Sequence, residues 1–149
     1  METVIQLNSE AKLSPHFTLG ELTKSSHREV YNIPSHEAIE NLKKVCCWLE
    51  VLRKRYNEVV VINSGYRSPQ LNRKVGGAPT SNHLTGCAVD IRVSGQEQLI
   101  QYAAILIQYA NETHQDFDEL LLEKNKHGAI WLHFAVRPKG NRRKVNIMV

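Results

Sequence analysis

The order of the periodic segments predicts an α+β fold. Two helical patterns come first, then short β-branched or alternating runs that read as an antiparallel sheet, interrupted by a single further helix. Strict alternation of strand and helix, the mark of a doubly wound sheet, is absent. Thr18 followed by Glu21 is a capping-box pattern and predicts a short helix over 19–23. Pro34 and Ser35 announce a longer helix, in which Ile39, Leu42, Val45, Cys46, Leu49 and Leu52 recur at helical spacing to about residue 56. Residues 59–62 form a β-branched run bounded by turn residues and predict a strand. From 64 to 86 the chain is rich in Gly, Pro, Asn and Ser. It reads as an irregular loop, too long for a hairpin and of the kind that carries function.

Cys87, Val89, Ile91 and Val93 alternate with Ala88, Asp90 and Arg92, so the next strand should point Asp90 away from its apolar face. Residues 96–111 carry a wide apolar stripe through Leu99, Ala103, Leu106 and Ala110, a helix. Two further strands are predicted over 120–123 and 129–136, and period two sets Trp131 and His133 on one face with Leu132 and Phe134 on the other. A last strand is predicted over 145–149.

With 149 residues, 42% hydrophobic and 23% charged, the chain has the size and composition of one domain with its own core, spanning 1–149. No apolar run approaches the ~18 residues of a membrane span, so no membrane insertion is expected. Residues 1–6 lack the basic flank and apolar region of a secretion signal, which predicts a chain made in the cytoplasm. Cys46, Cys47 and Cys87 form no disulfide framework and no Cys-x-x-Cys clamp, and all three are expected as buried thiols. The net charge is +4, and Arg137, Lys139, Arg142, Arg143 and Lys144 lie close together with no acid among them. They read as a solvated loop entering the last strand. So few charges attract a polyanion only weakly, and no stacking aromatics are interleaved, so no nucleic-acid partner is expected.

The chemistry concentrates in Ser64-Gly65-Tyr66-Arg67-Ser68, in the run from Ser81 through His83, Gly86 and Ala88 to Asp90, and in Trp131-Leu132-His133. Two imidazoles and a carboxylate from separate segments fill three positions of a tetrahedral Zn²⁺ and leave the fourth for water, the catalytic rather than the structural arrangement. His36-Glu37-Ala38-Ile39-Glu40 imitates the helical zinc motif His-Glu-x-x-His but ends in glutamate, and is expected to be a solvated helix start.

At these residues the chain resembles the zinc D-Ala-D-Ala carboxypeptidases, a group that includes vancomycin-resistance dipeptidases and phage L-Ala-D-Glu endolysins and is related in metal site to hedgehog domains. The pattern Ser-x-His-x-x-Gly-x-Ala-x-Asp is met in full, the upstream Ser-Gly-Tyr-Arg-Ser is present, and Trp-x-His supplies the late histidine. The resemblance implies a hedgehog/DD-peptidase-like fold, with His83, Asp90 and His133 as ligands of Zn²⁺. It also implies that Arg67 faces a peptide carboxylate or carbonyl with Ser81 assisting. Several members place a glutamate three residues before the late histidine, where this chain has Ile130. Smaller relatives instead end the preceding strand in Phe-Asp-x-Leu-x-x-Glu, which Phe117 to Glu123 matches. Glu123 is thereby the implied general base, and Glu119, on the same strand face, is the alternative. The implied function is hydrolysis of an amide bond next to a D-residue in peptidoglycan stem peptides, by a monomer acting at the cell wall. The same scaffold without turnover would be a zinc-containing wall-binding module.

Overall fold

Local sequence chemistry starts each helix in the computed structural model, which describes residues 8–149; the reading of residues 1–6 lies outside the described residues. A small hairpin of β1 (Lys12–Ser14) and β2 (Phe17–Thr18) leads into α1 (Leu19–Thr23). There the Glu21 amide donates to the Thr18 hydroxyl and the Thr18 amide donates to the Glu21 carboxylate, which closes the expected capping box. The long helix α2 (His36–Tyr56) begins where the Ser35 hydroxyl accepts from the Ala38 amide, and ends at Asn57 in a left-handed conformation.

A short β3 (Ile62–Ser64) follows, then α3 (Pro69–Val75), a 3₁₀ turn over Asn82–Thr85, β4 (Ala88–Arg92) and α4 (Gln96–Thr113). The chain closes with β5 (Glu119–Lys124), β6 (Ile130–Ala135) and β7 (Lys144–Ile147). Among the described residues, no helix is long and apolar enough to cross a membrane.

Five strands form one sheet in the order β3-β4-β6-β5-β7. One face carries Val89 and Ile91, Leu120 and Leu122, and Leu132 and Phe134, all buried with the stripes of α2 and α4. Trp48 of α2 meets the Tyr109 ring of α4 edge-on at 4.9 Å and Phe134 of the sheet at 5.4 Å, so it joins all three layers. Each large apolar side chain so buried stabilises the fold by about 1.5–3 kcal/mol before the entropy of ordering is counted. The opposite face of the same strands carries Asp90, His133, Glu119 and Glu123. The alternation read from the sequence therefore separates core from site.

The α+β class and its flanking helices are as expected, and four local readings change. The strand expected over 59–62 begins at Ile62, with Val59 and Val61 exposed. The loop 64–86 contains α3 and the 3₁₀ turn, both too short to show an apolar period; Ser68 caps α3 and Pro69 occupies its first turn. Cys47 is exposed, because it lies about a quarter turn round the helix from the buried Cys46. Last, β7 runs parallel to β5 while every other pairing in the sheet is antiparallel. The chain leaving β6 crosses β5 and is caught by the buried Asp118, whose carboxylate accepts from the Arg142 amide and guanidinium.

Candidate active site

The two motif segments hold each other. The Tyr66 amide donates to the Leu22 carbonyl of α1, the Gly65 carbonyl lies 2.7 Å from His83 Nδ1, and the Arg67 amide donates to the His83 carbonyl. Gly65 is required because a Cβ there would run into the Leu22 carbonyl. The spacing Ser-x-His-x-x-Gly is a capped 3₁₀ turn: the Ser81 hydroxyl accepts from the His83 amide, and Gly86 ends the turn at φ 75°, its missing Cβ leaving room for the Ala38 carbonyl of α2. His83 is thus fixed, buried, beneath the sheet face that β4 and β6 present.

Register supplies the other two groups. Asp90 pairs directly with His133 across β4 and β6, and His133 Nδ1 lies 3.1 Å from Asp90 Oδ1. His83 Nε2 lies 3.3 Å from the same oxygen. One ligand atom from each of the three residues can be chosen so that all lie within 4.8 Å of one another, a group able to hold a metal ion. The donor chemistry fits one. With His83 Nδ1–H donating to the Gly65 carbonyl, the buried Nε2 turns an unshared lone pair toward a carboxylate and has no hydrogen-bond partner. His133 Nε2 lies 3.0 Å from Glu119 Oε1; donation there turns the Nδ1 lone pair to Asp90 as well. Lone pairs facing one another at this range call for a positive charge between them, a metal ion or, in its place, a proton on His133.

The charges of the pocket follow from these contacts. Burial presses Asp90 toward its neutral form, but the two imidazoles beside it, His133 foremost, outweigh it and hold the carboxyl well below the usual carboxylate range. Burial also works against charge on His133, and the carboxylates of Asp90 and Glu119 overcome it, raising its pKa to about 9. The hydrogen bond with His133 lowers Glu119. Glu123 lies 3.7 Å from His133 Nδ1, and burial raises its pKa. Arg67 loses some basicity to burial, with Asp90 and Glu123 sustaining its charge, and its Nε is buried without a hydrogen-bond partner.

All seven residues singled out in the sequence, Arg67, Ser81, His83, Asp90, Glu119, Glu123 and His133, line one cleft of about 720 Å³. A further layer, Asn82 with Asp118 and Arg137 behind Glu119, was not assigned to the site. Asn82 Nδ2 donates to both Asp118 Oδ2 (2.8 Å) and Glu119 Oε1 (2.7 Å), while its Oδ1 accepts from Arg137 Nε. A charged residue at the head of an apolar strand and an unmatched basic run were the signals, but neither shows its partner in sequence.

Asp118 is fully buried; burial opposes its charge, yet the Arg142 hydrogen bonds prevail and bring its pKa to about 2 from 3.8. Asp118→Ala is expected to cost about 1.5–3 kcal/mol, the scale of hydrogen bonds to a charged group, because the Arg142 left behind is half exposed and can turn to water; the loss is read as a lowered urea midpoint. Because the folded pKa is depressed, this stabilisation is present above pH ~4 and is lost as pH falls through about 2.

This fold sets a three-residue group able to hold a metal ion at the floor of a cleft, an arrangement suited to metal-assisted hydrolysis. Residues 15–127 match the model of the Peptidase M15 family. The chain belongs to that family and is a peptidase. Arg67, His83, Asp90 and Glu123 lie inside the matched segment; His133 lies beyond it and joins them through β-sheet register. No protein of curated function matches the chain in sequence. Among solved structures the chain is similar to the L-Ala D-Glu endopeptidase ChiX of Serratia marcescens, with 18% identity over 74% of this chain and 94% of that one and a TM-score of 0.44.

Proposed function

We propose that this M15 peptidase is zinc-dependent and hydrolyses an amide bond next to a D-amino acid in the stem peptide of peptidoglycan. The observation that carries the reading is the convergence of two imidazole lone pairs on the Asp90 carboxylate at the floor of an open cleft. His83 through Nε2, His133 through Nδ1 and Asp90 would hold the ion. Bound there, zinc would act as a Lewis acid toward the scissile carbonyl and lower the pKa of water.

The chain's own groups do the rest. Glu123, beside His133 and on the cleft face, takes the proton of the attacking water and returns it to the departing amine. Arg67 offers a planar fork to a carboxylate or carbonyl of the substrate. The Ser81 hydroxyl uses a lone pair on the His83 amide, so its proton is free to donate to substrate. Glu119 holds His133 by Nε2, which makes it a positioning residue rather than a rival base.

The test is mass spectrometry of purified muropeptides after incubation with the protein, with and without a chelator. New amine termini that appear only without chelator are expected; an intact substrate that still binds would leave a wall-binding module in place of an enzyme. Arg67→Lys keeps the charge but not the bidentate fork. It is expected to lower kcat/KM by about 10- to 100-fold, the value of one or two charge-assisted hydrogen bonds worth roughly 1.5–3 kcal/mol.

A further inference from the structure

The basic run near the end of the chain is not one solvated loop. Arg143 turns away, over the Phe117 ring at 5.4 Å and toward Asp116. Lys139 lies outside the cleft, whereas Arg137, Arg142 and Lys144 all line it. Lys144 is the direct cross-strand partner of Glu119, so it shares the cleft face, and it has no acidic partner within 4.0 Å among the described residues. Arg142 Nη2 reaches 3.6 Å from Glu119 Oε2 while its other contacts hold Asp118. At this end of the cleft Arg137, Arg142 and Lys144 stand against Asp118 and Glu119, with Asp90 and Glu123 on the side of Arg67, and Glu119 is already committed to His133.

We infer that Arg142 and Lys144 form a second anion subsite that takes a pendant carboxylate of the substrate, on the far side of the metal group from Arg67. The inference rests on the cleft being a stem-peptide site. Arg67 lies toward Asp90 and Glu123, whereas Lys144 lies on β7, three interstrand steps from β4. Lys144 stands in register with Ala88, two residues from Asp90, so about 14 Å across the strands and about 7 Å along them set the backbones of Asp90 and Lys144 about 16 Å apart, with His133 and Glu119 between them. An extended peptide advances about 3.3–3.6 Å per residue, so a substrate lying across the metal group, with one carboxylate on Arg67, brings a second within reach of Lys144 a few residues away. Three cations set inside a cleft suit one small anion. A phosphate polymer would be served by a stripe along the outer surface.

The test uses two synthetic stem peptides ending in D-Ala that differ only in carrying γ-linked D-glutamate or its α-amide, D-isoglutamine. Turnover is measured with zinc-loaded wild type, Lys144→Gln and Lys139→Gln. Dissociation constants are measured on the same variants in the Glu123→Gln background, which keeps the peptide intact. Wild type is expected to prefer the carboxylate peptide by about tenfold, the scale of a charge-assisted contact. Lys144→Gln should reduce that preference to about threefold or less, and Lys139→Gln, the same change of charge outside the cleft, should retain it. Equal handling of both peptides by wild type, or equal loss in both lysine variants, overturns the subsite. If neither peptide is cleaved, the peptidase reading fails, while the binding preference still decides the subsite.

Discussion

Replacing His83, Asp90 or His133 by alanine is expected to empty the metal centre and lower peptidase turnover on the order of a thousandfold or more, the scale of losing a Lewis acid worth several kcal/mol. The three losses should not be alike. Asp90 lies within 3.3 Å of both imidazoles, so Asp90→Ala removes the group that both face. His83→Ala also removes the partner of the Gly65 carbonyl and loosens the segment that carries Arg67, so His83→Gln serves as the variant that refills the space. Elemental analysis of the purified variants measures the first effect directly. Full zinc occupancy in any one of them would remove that residue from the ligand set.

Glu123→Gln is expected to keep zinc and fold but to lower kcat by at least about 100-fold, the usual worth of a general base. The amide matches the carboxylate in shape and cannot accept the proton. Glu119→Gln should act differently, because its carboxylate holds the Nε2 side of His133. Zinc affinity should fall by about 10- to 100-fold, and saturating zinc should restore most of the turnover. A larger loss in Glu119→Gln than in Glu123→Gln at saturating zinc would exchange the two roles.

Much of the site was legible because its parts are local. Ser81 caps and Gly86 ends the one 3₁₀ turn that holds His83, and Thr18 with Glu21 closes one helix, so their spacings obey short-range sterics and hydrogen bonding. The alternation through Asp90 and through Trp131 and His133 declares two faces wherever the strands end up, because period two is a property of the strand alone. The short α3 escaped notice for the opposite reason, since seven residues carry too little periodicity to stand out from a Gly- and Pro-rich stretch.

Local chemistry along the chain sets the helix caps and the strand faces, and it presents two histidines and an aspartate of the types that can hold a metal ion. Tertiary structure decided that β6 lies against β4, which brings His133 to Asp90 across 43 residues of chain, and that β7 runs parallel to β5. It decided, too, that Glu119 holds His133, that Asp118 is buried against Arg142, and that three of five clustered cations face the cleft. Local order follows from sterics and periodicity within a few residues. The pairing of strand edges, and the partner that makes a buried charge tolerable, depend on groups that only the folded chain brings together.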